Sequence, residues 1–93
     1  MTSKVLFKKV EEVFGVDIEE IQSISRLRTT TDARKALVYF LRKYLKMGSN
    51  AIAKIINKGH DMIVYYYREA ESLIKYDENY KNKIYKIQSE LNL

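Results

Sequence analysis

An all-α fold, a small bundle of about six helices, is predicted by three features of the sequence. Proline is absent and glycine occurs only three times, so few residues interrupt a helix. Apolar residues recur at three- and four-residue steps through most of the chain, which is the period of an amphipathic helix. The long periodic stretches are filled mainly by Lys, Glu, Leu, Ala and Arg, all strong helix formers. Ninety-three residues leave room for one core, so 1–93 is read as a single helical domain. Hydrophobic residues make up 46% of the chain and charged residues 31%, the balance of a folded globular domain. With no cysteine to staple it, helix packing has to supply its stability.

The first helix is marked by Val5, Leu6, Val10, Val13 and Phe14, and Gly15 ends it. Asp17 opens a short second helix, with Glu20 at capping-box spacing and Ile18 and Ile21 facing inward. Ser23 to Arg28 has no periodicity and reads as a polar, basic loop. Thr29, Thr30, Thr31 and Asp32 are successive N-cap candidates, and a long third helix is placed from near Thr30. Its apolar stripe runs from Ala33 and Leu37 to Leu45, with Arg34, Lys35, Arg42 and Lys43 outside it. A break at Met47-Gly48 precedes a short fourth helix containing Ile52, Ala53, Ile55 and Ile56. The next break, Asn57-Lys58-Gly59, is short because Gly59 adopts positive φ at little cost. A fifth helix runs from about His60 to Lys75, and Asp77 caps a sixth on which Tyr80, Ile84, Ile87 and Leu91 form a stripe. Residues 48–75 thus have the form of a helix-turn-helix.

Charge is unevenly placed. The formal net charge is +5, and residues 21–58 hold nine basic side chains against the single Asp32, while the segments on either side are slightly acidic. A surface so poor in compensating carboxylates suits a polyanion, and double-stranded DNA is the expected partner. No stretch approaches membrane-spanning length and the N-terminal residues lack the pattern of a secretory signal, so no membrane partner and a cytoplasmic location are expected. Lone His60, the absence of cysteine and the lack of a Gly-rich phosphate loop predict no metal site, no cofactor and no enzymatic reaction.

The order of these residues resembles the C-terminal DNA-binding domain of the bacterial replication initiator DnaA. In that family a Ser-x-x-Arg loop leads into a helix resembling Arg-Gln-x-Ala-Met-Tyr-Leu. Here Ser23-Ile24-Ser25-Arg26 leads to Arg34-Lys35-Ala36-Leu37-Val38-Tyr39-Phe40-Leu41. The helix-turn-helix of the family is similar in length and hydrophobic positions to Ile52 through Ile63, and Lys58 and His60 keep the family's basic and histidine positions. Gly59 stands in place of the family's Asp, Asp61 in place of Ser or Thr, and Met62 in place of Thr.

The resemblance implies a DNA-binding set drawn from Arg26, Arg28, Arg34, Lys35, Lys58, His60, Asp61, Met62 and Tyr65. It places Arg26 in the minor groove and Arg34 on a phosphate; read without it, each is equally a surface arginine. Lys58 is a phosphate clamp or a turn lysine. His60 is a base or phosphate donor, or a polar residue at the start of its helix. Asp61 suits the helix dipole, and next to phosphate it is repulsive unless it accepts from a cytosine amino group. Met62 offers a thymine methyl contact but no hydroxyl. The departures at Gly59, Asp61 and Met62 imply altered or weakened sequence specificity. Tyr65, Tyr66 and Tyr67 span most of a helix circumference, so they divide between core and surface, with Tyr65 and Arg68 toward solvent or a partner. A tyrosine-rich surface is also a common interface anchor, which keeps open a protein partner or a homodimer.

Overall fold

The computed structural model describes residues 2–93. Six helices follow one another: α1 (Ser3–Phe14), α2 (Ile18–Gln22), α3 (Arg28–Lys43), α4 (Ser49–Ile56), α5 (Asp61–Tyr76) and α6 (Glu78–Glu90). No strand occurs among the described residues, and the predicted all-α class is borne out.

The caps explain where the chain turns. Thr2 Oγ1 accepts from the Val5 amide at 3.4 Å, and Gly15, at φ 70°, closes α1 by donating to the Glu11 carbonyl. Asp17 Oδ1 accepts from the Glu20 amide at 2.9 Å to start α2. Asp77 serves two helices. Its amide donates to Leu73 at the end of α5, and its carboxylate accepts from the Tyr80 amide at 3.1 Å to start α6.

Three expectations require correction. The third helix starts at Arg28 rather than near Thr30, with Leu27 as its N-cap and no side-chain cap bond. Thr30 does not cap because its hydroxyl is turned inward, donating to Glu20 Oε1 at 3.1 Å and bridging α3 to α2. The left-handed residue between α4 and α5 is Asn57, at φ 58°, and not Gly59. Asparagine tolerates this region better than most residues because its short polar side chain can hydrogen-bond locally with the backbone. Similarly, Lys46 at φ 56° provides the turn after α3, ahead of the glycine at 48.

Helix α3 is central, packing on α1 and α5 and also meeting α2 and α4, while α6 closes against α1 and α5. Burial on so many sides takes in Val38 and Tyr39 as well as the expected stripe of Ala33, Ala36, Leu37, Phe40 and Leu41. Ile52 and Ile56 of α4 and Ile63, Tyr66 and Ala70 of α5 join the same core, which fixes the angle between those two helices. Leu6, Val10, Tyr80, Ile84 and Ile87 complete it from α1 and α6. No described helix is long and apolar enough to cross a membrane.

Candidate nucleic-acid interface

The interface is organised by the end of α2. A helix leaves its last carbonyls without intrahelical partners, and a five-residue helix has few others. Here two cations from distant parts of the chain supply donors. Arg34 Nε donates to the Ile21 carbonyl at 2.9 Å, and its Nη2 donates to the carbonyls of Ser23 at 3.0 Å and Ser25 at 3.3 Å. Lys58 Nζ donates to the carbonyls of Gln22 and Ser23. Hydroxyls fix the remainder of the loop: Ser23 Oγ accepts from the Ser25 amide and Ser25 Oγ from the Leu27 amide.

This bracing changes the role expected of Arg34. The sequence pattern set it outside the apolar stripe of α3, whereas it is only 3% exposed and its guanidinium is spent on loop carbonyls. The physical reason is that α2 and the loop fold over the first turns of α3, and a planar fork of donors matches their clustered carbonyls. Lys58 is half-buried, and burial, followed by the nearby positive charge of Arg34, holds its ammonium below the usual lysine pKa.

The braced loop presents Arg26 to solvent. Across from it runs the exposed edge of α5, carrying Asp61, Met62 and Tyr65, with His60 just before the helix. Between loop and helix lies a groove of about 450 Å³, lined in part by Arg26, Arg34, Lys35, Lys58, Met62 and Tyr65. Six residues singled out from sequence therefore line one surface. Lys35 is tethered to Glu69 of α5 at 3.6 Å, which holds its ammonium at the groove wall. His60 borders an adjoining recess of about 470 Å³, with Lys58 shared between the two.

Arg28 is not brought into this set. It faces α6, at 3.4 Å from Asp32 and 3.3 Å from Asp77, so its charge is directed away from the groove. Asp61 sits in the first turn of α5, and a β-carbon at Gly59 would come within 2.6 Å of its Oδ1. Of the three tyrosines, Tyr66 is buried, Tyr67 is half-buried and stacked on Tyr39 at 5.5 Å, and Tyr65 is 50% exposed.

Other residues at this surface were not singled out from sequence. Asn50 and Lys54 of α4 line the recess beside His60, and Ile24 lines the groove beside Arg26. Lys54 was visible as one of nine basic residues in 21–58, but its position beside α5 depends on the angle between helices. No group of three or more His, Cys, Asp or Glu residues able to hold a metal ion is found among the described residues.

The family model described as bacterial dnaA protein helix-turn-helix matches residues 4–69, which includes the braced loop, α4 and the first half of α5. The chain is similar to the chromosomal replication initiator protein DnaA of Thermosipho africanus (strain TCF52B), with 31% identity over 70 residues, covering 75% of this chain and 16% of that protein. It is also similar to the protein of the same name from Wolbachia pipientis wMel, with 26% identity over 85 residues, covering 90% of this chain and 18% of that protein. The chain therefore spans less than a fifth of the length of these relatives. The match over residues 4–69, well over half of the chain, establishes that it belongs to the bacterial dnaA protein helix-turn-helix family.

Proposed function

We propose that residues 1–93 act as one module that binds double-stranded DNA, seating α5 in the major groove and Arg26 in the neighbouring minor groove. The observation that carries this reading is the single groove lined by the Arg26 loop on one side and by Met62 and Tyr65 of α5 on the other. Adjacent major and minor grooves of a duplex are separated by one sugar-phosphate strand. A protein reading both has to straddle that strand, and a cationic channel between its two reading elements is the shape required.

In this arrangement Lys35 faces the phosphates, Arg34 and Lys58 hold the loop and add positive potential from beneath, and His60 and Tyr65 meet the strand or base edges. Arg28 stands outside the footprint. Arg26 favours A·T-rich sequence, where the minor groove is narrow and its potential most negative. Gly59, Asp61 and Met62 give the major-groove face a different chemistry from that implied by the family resemblance, with an acceptor and a thioether in place of hydroxyls. The target sequence is accordingly altered, and the role is in replication initiation or its regulation.

Fluorescence anisotropy with duplex DNA across a salt series tests the reading. Affinity should fall steeply and linearly on a log–log plot; absence of binding even at low ionic strength refutes it. A second reading, a protein-interaction or dimerisation module, draws on Val64 and Tyr65, adjacent and exposed by 39% and 50% on α5. Sedimentation distinguishes the two, since a tight dimer with no DNA affinity favours the second.

A further inference from the structure

We propose that Ile24 is an apolar wedge that enters the DNA minor groove beside Arg26 and bends the duplex. The inference rests on the DNA-binding reading above and adds a component to it. Ile24 is 94% exposed, the highest exposure of any large hydrophobic residue among those described. Scattered exposed hydrophobics are ordinary on protein surfaces, so exposure alone carries little. What distinguishes Ile24 is where it is held.

Its two neighbouring carbonyls, those of Ser23 and Ser25, are both bound by Arg34. Lys58 adds a further bond to Ser23. The backbone on either side is pinned to α3 and to the turn before α5, and Ile24 between them stands clear of the core. It lies at the rim of the groove that Arg26 also lines, two residues away. An arginine and an aliphatic side chain fixed side by side on a rigid loop form the pairing with which minor-groove proteins read A·T-rich sequence and part a base step. Arg26 supplies attraction to the narrow groove. The branched Ile24 side chain then gains burial only by entering between the groove walls, which widens the groove and bends the helix axis toward the major groove, against α5.

Leu27 provides an internal comparison. It is in the same loop and 66% exposed, but it borders a different depression, shared with Gly15, Val16 and Asp17 on the far side of the loop. Apolarity is thus present on both sides of the loop, and only the Ile24 side faces the proposed DNA.

The test uses a short A·T-rich duplex carrying a fluorophore at each end, with bending read as energy transfer and affinity as anisotropy, for the unsubstituted protein, Ile24→Ser and Leu27→Ser. The expected result is increased transfer with the unsubstituted protein and with Leu27→Ser, and loss of that increase with Ile24→Ser. Ile24→Ser should also bind about tenfold more weakly, from lost apolar burial, with an unchanged salt slope because no charge is removed. Both side chains are exposed, so both variants should keep the helical circular dichroism of the parent. If Ile24→Ser binds and bends as the parent does, the wedge is refuted while DNA binding stands. If the unsubstituted protein binds no duplex at low salt, the DNA reading and the wedge fall together.

Discussion

Arg34 and Ser23 are joined by a 3.0 Å hydrogen bond from the guanidinium to the carbonyl, and this contact sets the attitude of the loop that carries Arg26. Because Arg34 is buried and also binds the Ile21 and Ser25 carbonyls, its removal leaves several acceptors without donors. Arg34→Ala should lower stability by about 2–4 kcal/mol, as loss of charged hydrogen bonds and packing predicts. Arg34→Lys should recover only part of that, since one ammonium cannot match a planar fork. Urea denaturation of the three proteins checks the order. DNA affinity of Arg34→Lys should remain below that of the parent although the charge is kept.

Arg26 makes the opposite case. It is exposed, and no protein partner is seen for its guanidinium among the described residues. Arg26→Ala should change stability by no more than about 0.5 kcal/mol. On an A·T-rich duplex it should lose about tenfold in affinity, with the salt slope reduced by about one. A selection from random duplexes that recovers the same A·T preference from the variant would contradict minor-groove insertion.

Asp61 and Gly59 should behave as a coupled pair. The carboxylate occupies the space that a side chain at Gly59 would need, while the Gly59 backbone lies outside the positive-φ region and can itself accept alanine. Gly59→Ala should therefore leave stability nearly unchanged, the lower entropy of the unfolded chain offsetting the displaced Asp61 rotamer, yet shift the preferred DNA sequence. Asp61→Asn should cost about 0.3–1 kcal/mol through weaker interaction with the helix dipole, and should strengthen binding to arbitrary duplex by removing a charge of the same sign as phosphate. A double-mutant cycle on DNA affinity should give a non-zero coupling for this pair.

Alkaline pH should weaken the fold through Tyr80. Its hydroxyl donates to the Asp32 carbonyl at 3.0 Å, and burial, followed by the Asp32 and Asp77 charges, raises its pKa well above the ordinary value of 10.0. The unfolded chain then loses this proton first as pH rises. Stability from Tyr80 is fully present below pH 10.0 and declines above it, at up to about 1.4 kcal/mol per pH unit for one proton. Lys58, with its lowered pKa, opposes the trend weakly. Chemical denaturation between pH 8 and pH 11 checks this: Tyr80→Phe should be less stable at neutral pH by about 1 kcal/mol and show a shallower alkaline decline.

The six helices were legible in the sequence because helix formation depends on neighbours three and four residues away. Gly15, Asp17 and Asp77 terminate or start helices by contacts within a few residues, and they occupy the expected caps. The apolar stripes of α5 and α6 and the concentration of positive charge in residues 21–58 are likewise one-dimensional properties. The division of cations could not be read this way. Arg34 and Arg28 both belong to α3 and both look like surface arginines in sequence, but one is enclosed by α2 and its loop and the other pairs with Asp77 at the start of α6.

Thr30 was a plausible cap until Glu20, ten residues earlier, provided an acceptor for its hydroxyl. Asn57 rather than Gly59 takes the left-handed conformation, and the absence of a β-carbon at Gly59 serves instead to admit the Asp61 carboxylate. Local periodicity and charge thus set the helices and the sign of the surface. Which cations face outward, and that Arg26, Ile24 and Tyr65 share one groove, is decided by how α2, α3 and α5 pack, because a charged side chain is fixed inward only where folding brings unpaired carbonyls to meet it.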